Sequence, residues 1–351
     1  LGPTQDDLTK ETVAKVLGRQ MILDEASKKS IQEYFTKRRI ELTENNWKQA
    51  MVPEGAIVVA NANGTAPGII VEEGSKRVIL LPGPPNELIP MFEKSIYPYL
   101  SEAEPGIIYS RTVKLCGIGE SKAETMVADL IAEQENPTIA PYAKTGEVHL
   151  RITAKAENEK EAKKLLKPVI KELKNRFGIN VYTTDENVTL EQAVVELLLA
   201  NHLTVTTAES CTGGLLSAKL INVPGVSEVF KHGHVTYSNK AKHKLLGVKK
   251  PSLGKYGAVS ETVAKEMVKG AAASSKADVA VAITGIAGPD GGSEEKPVGL
   301  VYIGCSVCGR VKVKEYHFSG NRNKIRENSV IAALTLMRQC ILEYYSEVKF
   351  H

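Results

Sequence analysis

The sequence lacks any apolar run long enough to span a bilayer and carries no signal peptide, so we expect neither membrane insertion nor secretion. Cysteine is scarce: five residues, an odd number spread along the chain, do not suggest a disulfide framework and favour a reducing cytoplasm. Cys305 and Cys308 have the C-x-x-C spacing but lie in an apolar strand pattern, where residues three apart face opposite sides. With no second cysteine or histidine pair to complete a metal set, we expect a structural role there.

An excess of charge is also missing. The chain has 45 basic and 41 acidic residues, a net charge of +4, which argues against a dedicated nucleic-acid or polybasic membrane protein. Its 351 residues exceed one ordinary core, so two or three domains are expected. Hydrophobic content of 42% and charged content of 25% are typical of soluble globular proteins.

The most informative stretch is Ala208–Gly214, which reads Ala-Glu-Ser-Cys-Thr-Gly-Gly. A β-branched run precedes it and an apolar pattern of helical spacing follows, so it is predicted to form a strand-to-helix turn. The turn carries three side chains able to act as nucleophiles: Ser210, Cys211 and Thr212. Gly213 and Gly214 permit close approach of a ligand, and N–H groups at the helix start can hold a developing oxyanion. The alternative is an ordinary connection whose Ser or Thr caps the helix.

A candidate base follows the next predicted strand. The pattern predicts a helix over 240–246, capped by Ser238 or Asn239, with Lys242 in its first turn and close to Tyr237. The helix dipole disfavours a cation at that position. Together with partial burial, this placement would lower the pKa of Lys242 toward neutrality and make the amine a usable base.

A glycine-rich loop follows the apolar strand predicted over 277–284. Its residues 285–292 contain four glycines, more than one turn needs, which suits a backbone wrapped around a phosphate or ribose. Within this loop the candidate binding residues are Gly285, Ala287 and Gly288. Arg322, near the start of the last helix, is a candidate phosphate partner.

The first 100 residues carry a second set of ligand-type residues. Thr4 lies in a Gly-Pro-Thr turn that is followed by Asp6 and Asp7. The two acids either favour a helix start or serve as hard-oxygen ligands for a divalent cation. Asn63 lies in a loop after a predicted strand, where open α/β sheets place ligands.

The middle of the chain alternates short strand patterns with helix patterns. Strand patterns over 109–115 and 147–156 and helix patterns over 121–133 and 159–177 predict a small α+β module. Its loop Gly117–Glu120 does not have the GXXG spacing of a nucleic-acid-binding KH domain. We expect a spacer or dimerisation role rather than nucleic-acid binding, and place the next domain boundary at 185–187.

These motifs together resemble the CinA, or competence/damage-inducible, family. The blocks that carry the resemblance are Leu1–Asp7, Asn63–Gly68 and Leu81–Pro85, then Thr206–Gly214, Val235–Lys242, Tyr256–Ser260 and Thr284–Gly299. The resemblance implies an α/β chain with a Rossmann-like, molybdopterin-binding-like domain over 1–101 and a KH-like module over 102–185. A three-layer α/β amidohydrolase domain would follow over 186–351. We also expect a cytoplasmic homodimer.

The resemblance implies that the C-terminal domain converts nicotinamide mononucleotide to nicotinate mononucleotide and ammonia without a cofactor. Ser210 would attack the carboxamide, Lys242 would act as base, and Tyr237 would orient Lys242 or donate a hydrogen bond. Backbone N–H groups of Thr212, Gly213 and Gly214 would hold the oxyanion. The loop at Gly285, Ala287 and Gly288, with Arg322, would hold ribose and phosphate. Cys211 is the competing nucleophile.

For the N-terminal domain the resemblance implies metal-dependent ADP-ribose pyrophosphatase activity, with Thr4, Asp6, Asp7 and Asn63 holding metal and phosphate. The family's domain opens with a strand-helix-strand unit that this sequence lacks, so we expect an incomplete sheet without that activity. Two alternatives to a deamidase remain: a bifunctional enzyme that also splits ADP-ribose, and a non-enzymatic competence or recombination partner.

Overall fold

The structure, a computed structural model, describes residues 1–103 and 106–348. The chain divides into two compact units, Leu1–Gly106 and Ile107–His351. Within the described ranges, every helix is too short or too polar to cross a membrane.

The first unit contains short strands and helices around two small sheets. Its elements are α1 (Thr9–Val16), β1 (Met21–Leu23), α2 (Glu25–Arg38), β2 (Met51–Pro53), β3 (Ile57–Val59), β4 (Gly68–Glu73), β5 (Lys76–Leu80), α3 (Pro85–Met91) and α4 (Tyr97–Ala103). Strands β3, β4 and β5 form an antiparallel sheet, and β1 pairs antiparallel with β2. Helix α2 ends at Arg38 because Arg39 adopts a left-handed conformation, and a 3₁₀ turn follows at Glu44–Ala50.

The second unit begins with an α+β layer. Its elements are β6 (Ile107–Cys116), α5 (Glu120–Thr125), α6 (Ala128–Ala132), β7 (Thr138–Lys144), β8 (Glu147–Ala156), α7 (Glu159–Phe177) and β9 (Val181–Thr183). The strands form an antiparallel sheet in the order β7-β8-β6-β9. The sequence prediction found β6, β8 and α7 but missed β7 and β9, and it joined α5 and α6 into one helix.

The rest of the second unit is an α/β domain. Its elements are α8 (Leu190–Ala200), β10 (Val205–Glu209), α9 (Leu215–Ile221), β11 (Phe230–Val235), α10 (Asn239–Leu246), α11 (Lys250–Tyr256), α12 (Glu261–Ser275), β12 (Val279–Gly285), β13 (Leu300–Val307), β14 (Arg310–His317) and α13 (Arg322–Val348). The sheet order is β11-β10-β12-β13-β14. One apolar core packs α8, α9 and α13 on one face, and a second packs α12 and the end of α10 on the other. Helices therefore cover both faces, as the predicted three-layer fold requires.

The topology brings three loops to one edge of this sheet. Strand β10 lies between β11 and β12 and is parallel to both. Because parallel strands end at the same edge, the residues after β10, β11 and β12 meet there. The Ser210 N–H donates to the Ile283 carbonyl at 3.0 Å, and the Thr236 N–H donates to the Glu209 carbonyl at 2.8 Å. These bonds align the Ser210 turn with the start of α10.

Helix α10 packs tightly on α12 at a glycine. A Cβ added to Gly270 would lie 1.8 Å from the carbonyl oxygen of Leu246, which is a backbone atom and has little room to move. This contact fixes the end of the helix that carries Lys242.

We predict that Gly270→Ala lowers the free energy of unfolding by about 1–3 kcal/mol, since overpacking outweighs the gain in helix propensity. Gly254→Ala in α11 is the control, because a Cβ there meets no atom within 4 Å. Urea unfolding of both variants measures the difference. Equal stability of the two variants would contradict the packing argument.

Candidate functional site

Ser210 and Lys242 form a hydrogen-bonded pair at the edge of the sheet. Ser210 follows β10 and is 8% exposed, while Lys242 lies in the first turn of α10 and is 1% exposed. The Lys242 Nζ lies 2.8 Å from the Ser210 Oγ. The Ser238 hydroxyl accepts the Ala241 N–H at 3.1 Å, so it caps α10 as predicted.

The surroundings of Lys242 make its amine easier to deprotonate. Burial lowers the pKa of Lys242 from 10.5 to about 8, and no carboxylate pairs with it among the described residues. Its Nζ donates to the backbone carbonyls of Thr236, at 2.8 Å, and Tyr237, at 3.3 Å. A neutral amine has two N–H donors and one lone pair. With both donors directed to carbonyls, the lone pair is left for the Ser210 hydroxyl.

Cys211 has a different environment from Ser210. Its side chain is 6% exposed, and burial raises the pKa of the thiol to about 11. A thiol reacts as the thiolate, so Cys211 is held in its unreactive form near neutral pH. Lys242 Nζ forms its hydrogen bond with the Ser210 hydroxyl and not with the Cys211 thiol.

A buried carboxylate organises the turn from behind. Glu209 is fully buried, and its two oxygens accept the N–H groups of Gly214 at 3.1 Å, Leu216 at 3.0 Å and Ser217 at 2.9 Å. Its Oε1 also accepts the Ser217 hydroxyl at 2.7 Å. The predictions missed Glu209, which is the last residue of β10 and accepts N–H groups from the start of α9.

This arrangement corrects the predicted oxyanion donors. The Gly214 N–H is bonded to Glu209, and the Gly213 N–H donates to the Ser210 carbonyl at 3.1 Å. Of the three predicted donors, Thr212 alone keeps an N–H without an acceptor in the part of the chain that the structure describes, and the Cys211 N–H has no acceptor there other than its own sulfur. Two adjacent N–H groups beside Ser210 that no other residue accepts have the character of an oxyanion hole.

Arg326 fixes the direction of these N–H groups. Its Nε donates to the Cys211 carbonyl at 3.1 Å and its Nη2 to the Thr212 carbonyl at 2.9 Å. In a trans peptide the C=O and the following N–H point in opposite directions, so the contact to Cys211 orients the Thr212 N–H away from Arg326. Sequence reasoning missed this residue because it lies more than 110 positions from the turn.

Tyr237 contributes through its backbone rather than its phenol. The side chain is 64% exposed, and its hydroxyl accepts from Arg322 Nη2 at 3.3 Å. The contact with Lys242 that was expected of Tyr237 is made by its carbonyl and not by its phenol. Arg322 also donates from Nη1 to the Gly288 carbonyl at 2.7 Å. The structure thus brings Tyr237, Arg322 and the glycine-rich loop together.

Close packing holds the glycine-rich loop in place. A Cβ at Gly285 would lie 2.6 Å from Val301 Cγ2, and Gly288 has φ +72°, so both positions favour glycine. Ala287 is 4% exposed and packs into the core. Lys296 Nζ donates to the Val259 carbonyl at 2.8 Å and ties the far end of the loop to the turn before α12.

The predicted metal and phosphate residues of the first unit do not assemble. The Asp7 carboxylate accepts the N–H and hydroxyl of Thr4, and mainly the hydroxyl bond lowers the pKa of Asp7 to about 2. Asn63 donates instead to the Asn86 carbonyl at 2.6 Å, and Asp6 is exposed. Within 1–103 and 106–348, no three His, Cys, Asp or Glu residues are placed to hold a metal ion. The arrangement of these residues does not fit a divalent metal.

Three segments of the chain match models of known protein families. Residues 187–341 match the model of the CinA C-terminal domain, and residues 110–183 match the damage-inducible protein CinA KH domain. Residues 1–102 match a family described as "Probable molybdopterin binding domain". A CinA-like protein of Dictyoglomus turgidum is 53% identical over 342 residues, which is 97% of this chain and 83% of that protein. The chain belongs to the CinA family.

A second relative matches over a similar length, and a solved structure matches a shorter part of the chain. A CinA-like protein of Kosmotoga olearia is 49% identical over 342 residues, covering 97% of this chain and 83% of its own length. The crystal structure of competence/damage inducible protein CihA from Agrobacterium tumefaciens is 43% identical. That match covers 42% of this chain and 91% of the Agrobacterium chain, with a TM-score of 0.42.

We predict that Glu209→Ala lowers the free energy of unfolding by at least about 3 kcal/mol, because it leaves several buried donors unpaired. Glu228 is an exposed acid shortly before β11, so Glu228→Ala is the control and should change stability by about 0.5 kcal/mol or less. Urea unfolding monitored by circular dichroism measures both. A Glu209→Ala protein as stable as the control would show that the turn does not depend on this carboxylate.

Proposed function

We propose that the C-terminal domain hydrolyses the carboxamide of nicotinamide mononucleotide, releasing nicotinate mononucleotide and ammonia. The observation that carries the proposal is the 2.8 Å contact between Ser210 Oγ and the buried Lys242 amine. Membership of the CinA family and the motif blocks shared with its amidohydrolase domain support the choice of substrate.

The first half-reaction forms an acyl-enzyme. The Ser210 oxygen attacks the carboxamide carbon while the neutral Lys242 amine takes the hydroxyl proton. The oxyanion that develops is stabilised by the N–H groups of Cys211 and Thr212. When the tetrahedral species collapses, the C–N bond breaks and the Lys242 ammonium gives its proton to the leaving nitrogen, which departs as ammonia.

The second half-reaction returns the enzyme to its starting state. Lys242, neutral again, takes a proton from water as the water oxygen attacks the ester carbon. Collapse breaks the bond to Ser210 Oγ, which recovers its proton from Lys242. The free acid is nicotinate mononucleotide, and no cofactor is needed to balance either step.

Binding of the ribose and phosphate is assigned to the glycine-rich loop after β12 and to Arg322, which contacts that loop. The exposed guanidinium of Arg322 is placed by Gly288 and Tyr237, both of which are neutral partners, so its charge remains available to a phosphate. The backbone at Gly285, Ala287 and Gly288 is assigned to the ribose.

We predict that Ser210→Ala lowers kcat for ammonia release by about 10³-fold or more, as loss of a nucleophile does. Cys211→Ala should keep most of the activity, since its thiol is protonated and unpaired with the base. The measurement is ammonia release from nicotinamide mononucleotide, with mass spectrometry for a covalent adduct on the protein. Loss of activity in Cys211→Ala alone would reject Ser210 as nucleophile. A parent protein that releases no ammonia would favour the non-enzymatic role.

The pH dependence follows from the pKa of Lys242. The amine must be neutral to accept a proton, and its pKa is about 8, so kcat/KM should rise with pH and level off above about 8. Below that value the rate should fall about tenfold per pH unit. Lys242→Arg should lose both the activity and this ionisation, because the guanidinium stays charged. A profile that is flat from pH 6 to 9 would contradict the assignment of Lys242 as base.

A further inference from the structure

A cleft of about 330 Å³ lies between the KH-like module and the α/β domain, within the second compact unit. The α/β domain contributes one face of β14 and one face of α13, and the KH-like module contributes the loops at Gly117–Gly119 and Gly146. Neither module encloses this volume alone. None of the residues assigned to the Ser210 site lines it.

The cleft is held open by tight contacts around it. A Cβ at Gly117 would lie 2.7 Å from Gln339 Nε2, and a Cβ at Gly146 would lie 2.7 Å from Ile331 Cγ2. Both glycines have positive φ, so neither position readily accepts another residue. Arg338 strengthens the junction by donating to the Val181 carbonyl at 2.7 Å. A preformed cavity of this kind is typical of small-molecule sites.

The wall formed by β14 has a planar and a charged part. Lys314 and Tyr316 are two residues apart in β14 and so share one face, and Phe318, directly after the strand, lines the cleft with them. The rings of Tyr316 and Phe318 are stacked, with centroids 5.5 Å apart and planes 13° from parallel. Such a pair offers a flat aromatic surface to a further ring.

The charge on Lys314 is not neutralised by an acid. Its Nζ contacts the neutral Gln339 Oε1 at 3.2 Å, whereas Lys312, two residues earlier on the same face, is paired with Glu343 at 2.9 Å. Among the described residues no carboxylate forms an ion pair with Lys314. A cation without an acidic partner beside an aromatic surface suits a ligand that combines a flat ring with a negative group.

We propose that this cleft binds a nucleoside monophosphate, with the base stacked against the Tyr316–Phe318 pair and the phosphate at Lys314. A volume near 330 Å³ lies at the small end of ligand sites, which favours one mononucleotide over a dinucleotide. The site is distinct from the Ser210–Lys242 pair, and the proposal does not depend on the deamidase activity.

The test is calorimetric titration of the full chain with adenosine 5′-monophosphate. Saturable binding to the parent protein is expected, and Lys314→Gln should weaken it about tenfold, as loss of one charged contact does. Lys312→Gln is the matched control, since its charge is already paired with Glu343, and should bind as the parent does. Adenosine, which lacks the phosphate, should bind the parent as weakly as the monophosphate binds Lys314→Gln.

A second variant blocks the cleft without touching the charge. Gly119 is exposed, has no positive φ, and a Cβ there meets no atom within 4 Å, so Gly119→Leu fills the opening without strain. It should abolish binding, whereas Gly83→Leu, at an equally open glycine of the first unit, should not. No saturable binding to the parent would overturn the proposal. So would binding that survives Gly119→Leu and is displaced by nicotinamide mononucleotide, because the ligand would then occupy the Ser210 site.

Discussion

The α/β domain is arranged around one buried amine that has no acid to pair with. Lys242 lies in the first turn of α10, and no carboxylate among the described residues pairs with it. Its Nζ donates hydrogen bonds to two backbone carbonyls. A buried cation without a counter-charge is costly, and the amine responds by giving up its proton more easily. The burial that costs folding free energy therefore also lowers the pKa of Lys242 and lets the amine act as a base. If a glutamate lay beside it, the amine would stay charged and Ser210 would face a donor instead of a base.

The turn opposite Lys242 shows how a reactive serine is held by groups that do not react. The Glu209 carboxylate accepts hydrogen bonds from N–H groups at the start of α9, and Arg326 donates to carbonyls of the turn. The acid binds N–H groups and the guanidinium binds carbonyls of the same short segment, so both fix the orientation of its peptide groups. Preorganisation of this kind lets backbone dipoles stabilise a developing charge without rearrangement during the reaction.

The sequence was sufficient for the parts of the site that local patterns determine. The strand before Ser210, the cap at Ser238 and the position of Lys242 in a first helical turn all follow from neighbours in the chain, and the structure has them. It was not sufficient for Arg326, because contact with Cys211 depends on how α13 crosses the sheet. Nor did the sequence show that Tyr237 contacts Lys242 through its carbonyl, because strand alternation predicts which face a side chain is on but not that the strand ends at Val235. Strands β7 and β9 were missed because their pairing with β8 and β6 is a tertiary effect.

A second buried lysine shows what separates a structural amine from a chemical one. Lys10 is 2% exposed, and burial lowers its pKa to about 8, the same value as for Lys242. Its Nζ, however, contacts three backbone carbonyls, those of Lys48, Gln49 and Met51. Three acceptors match the three donors of an ammonium and leave no partner that could release a proton. In Lys242 one carbonyl is replaced by the Ser210 hydroxyl, the one oxygen of the set that carries a proton to give. Both lysines have a lowered pKa, so the candidate base is distinguished by its third hydrogen-bond partner, the Ser210 hydroxyl.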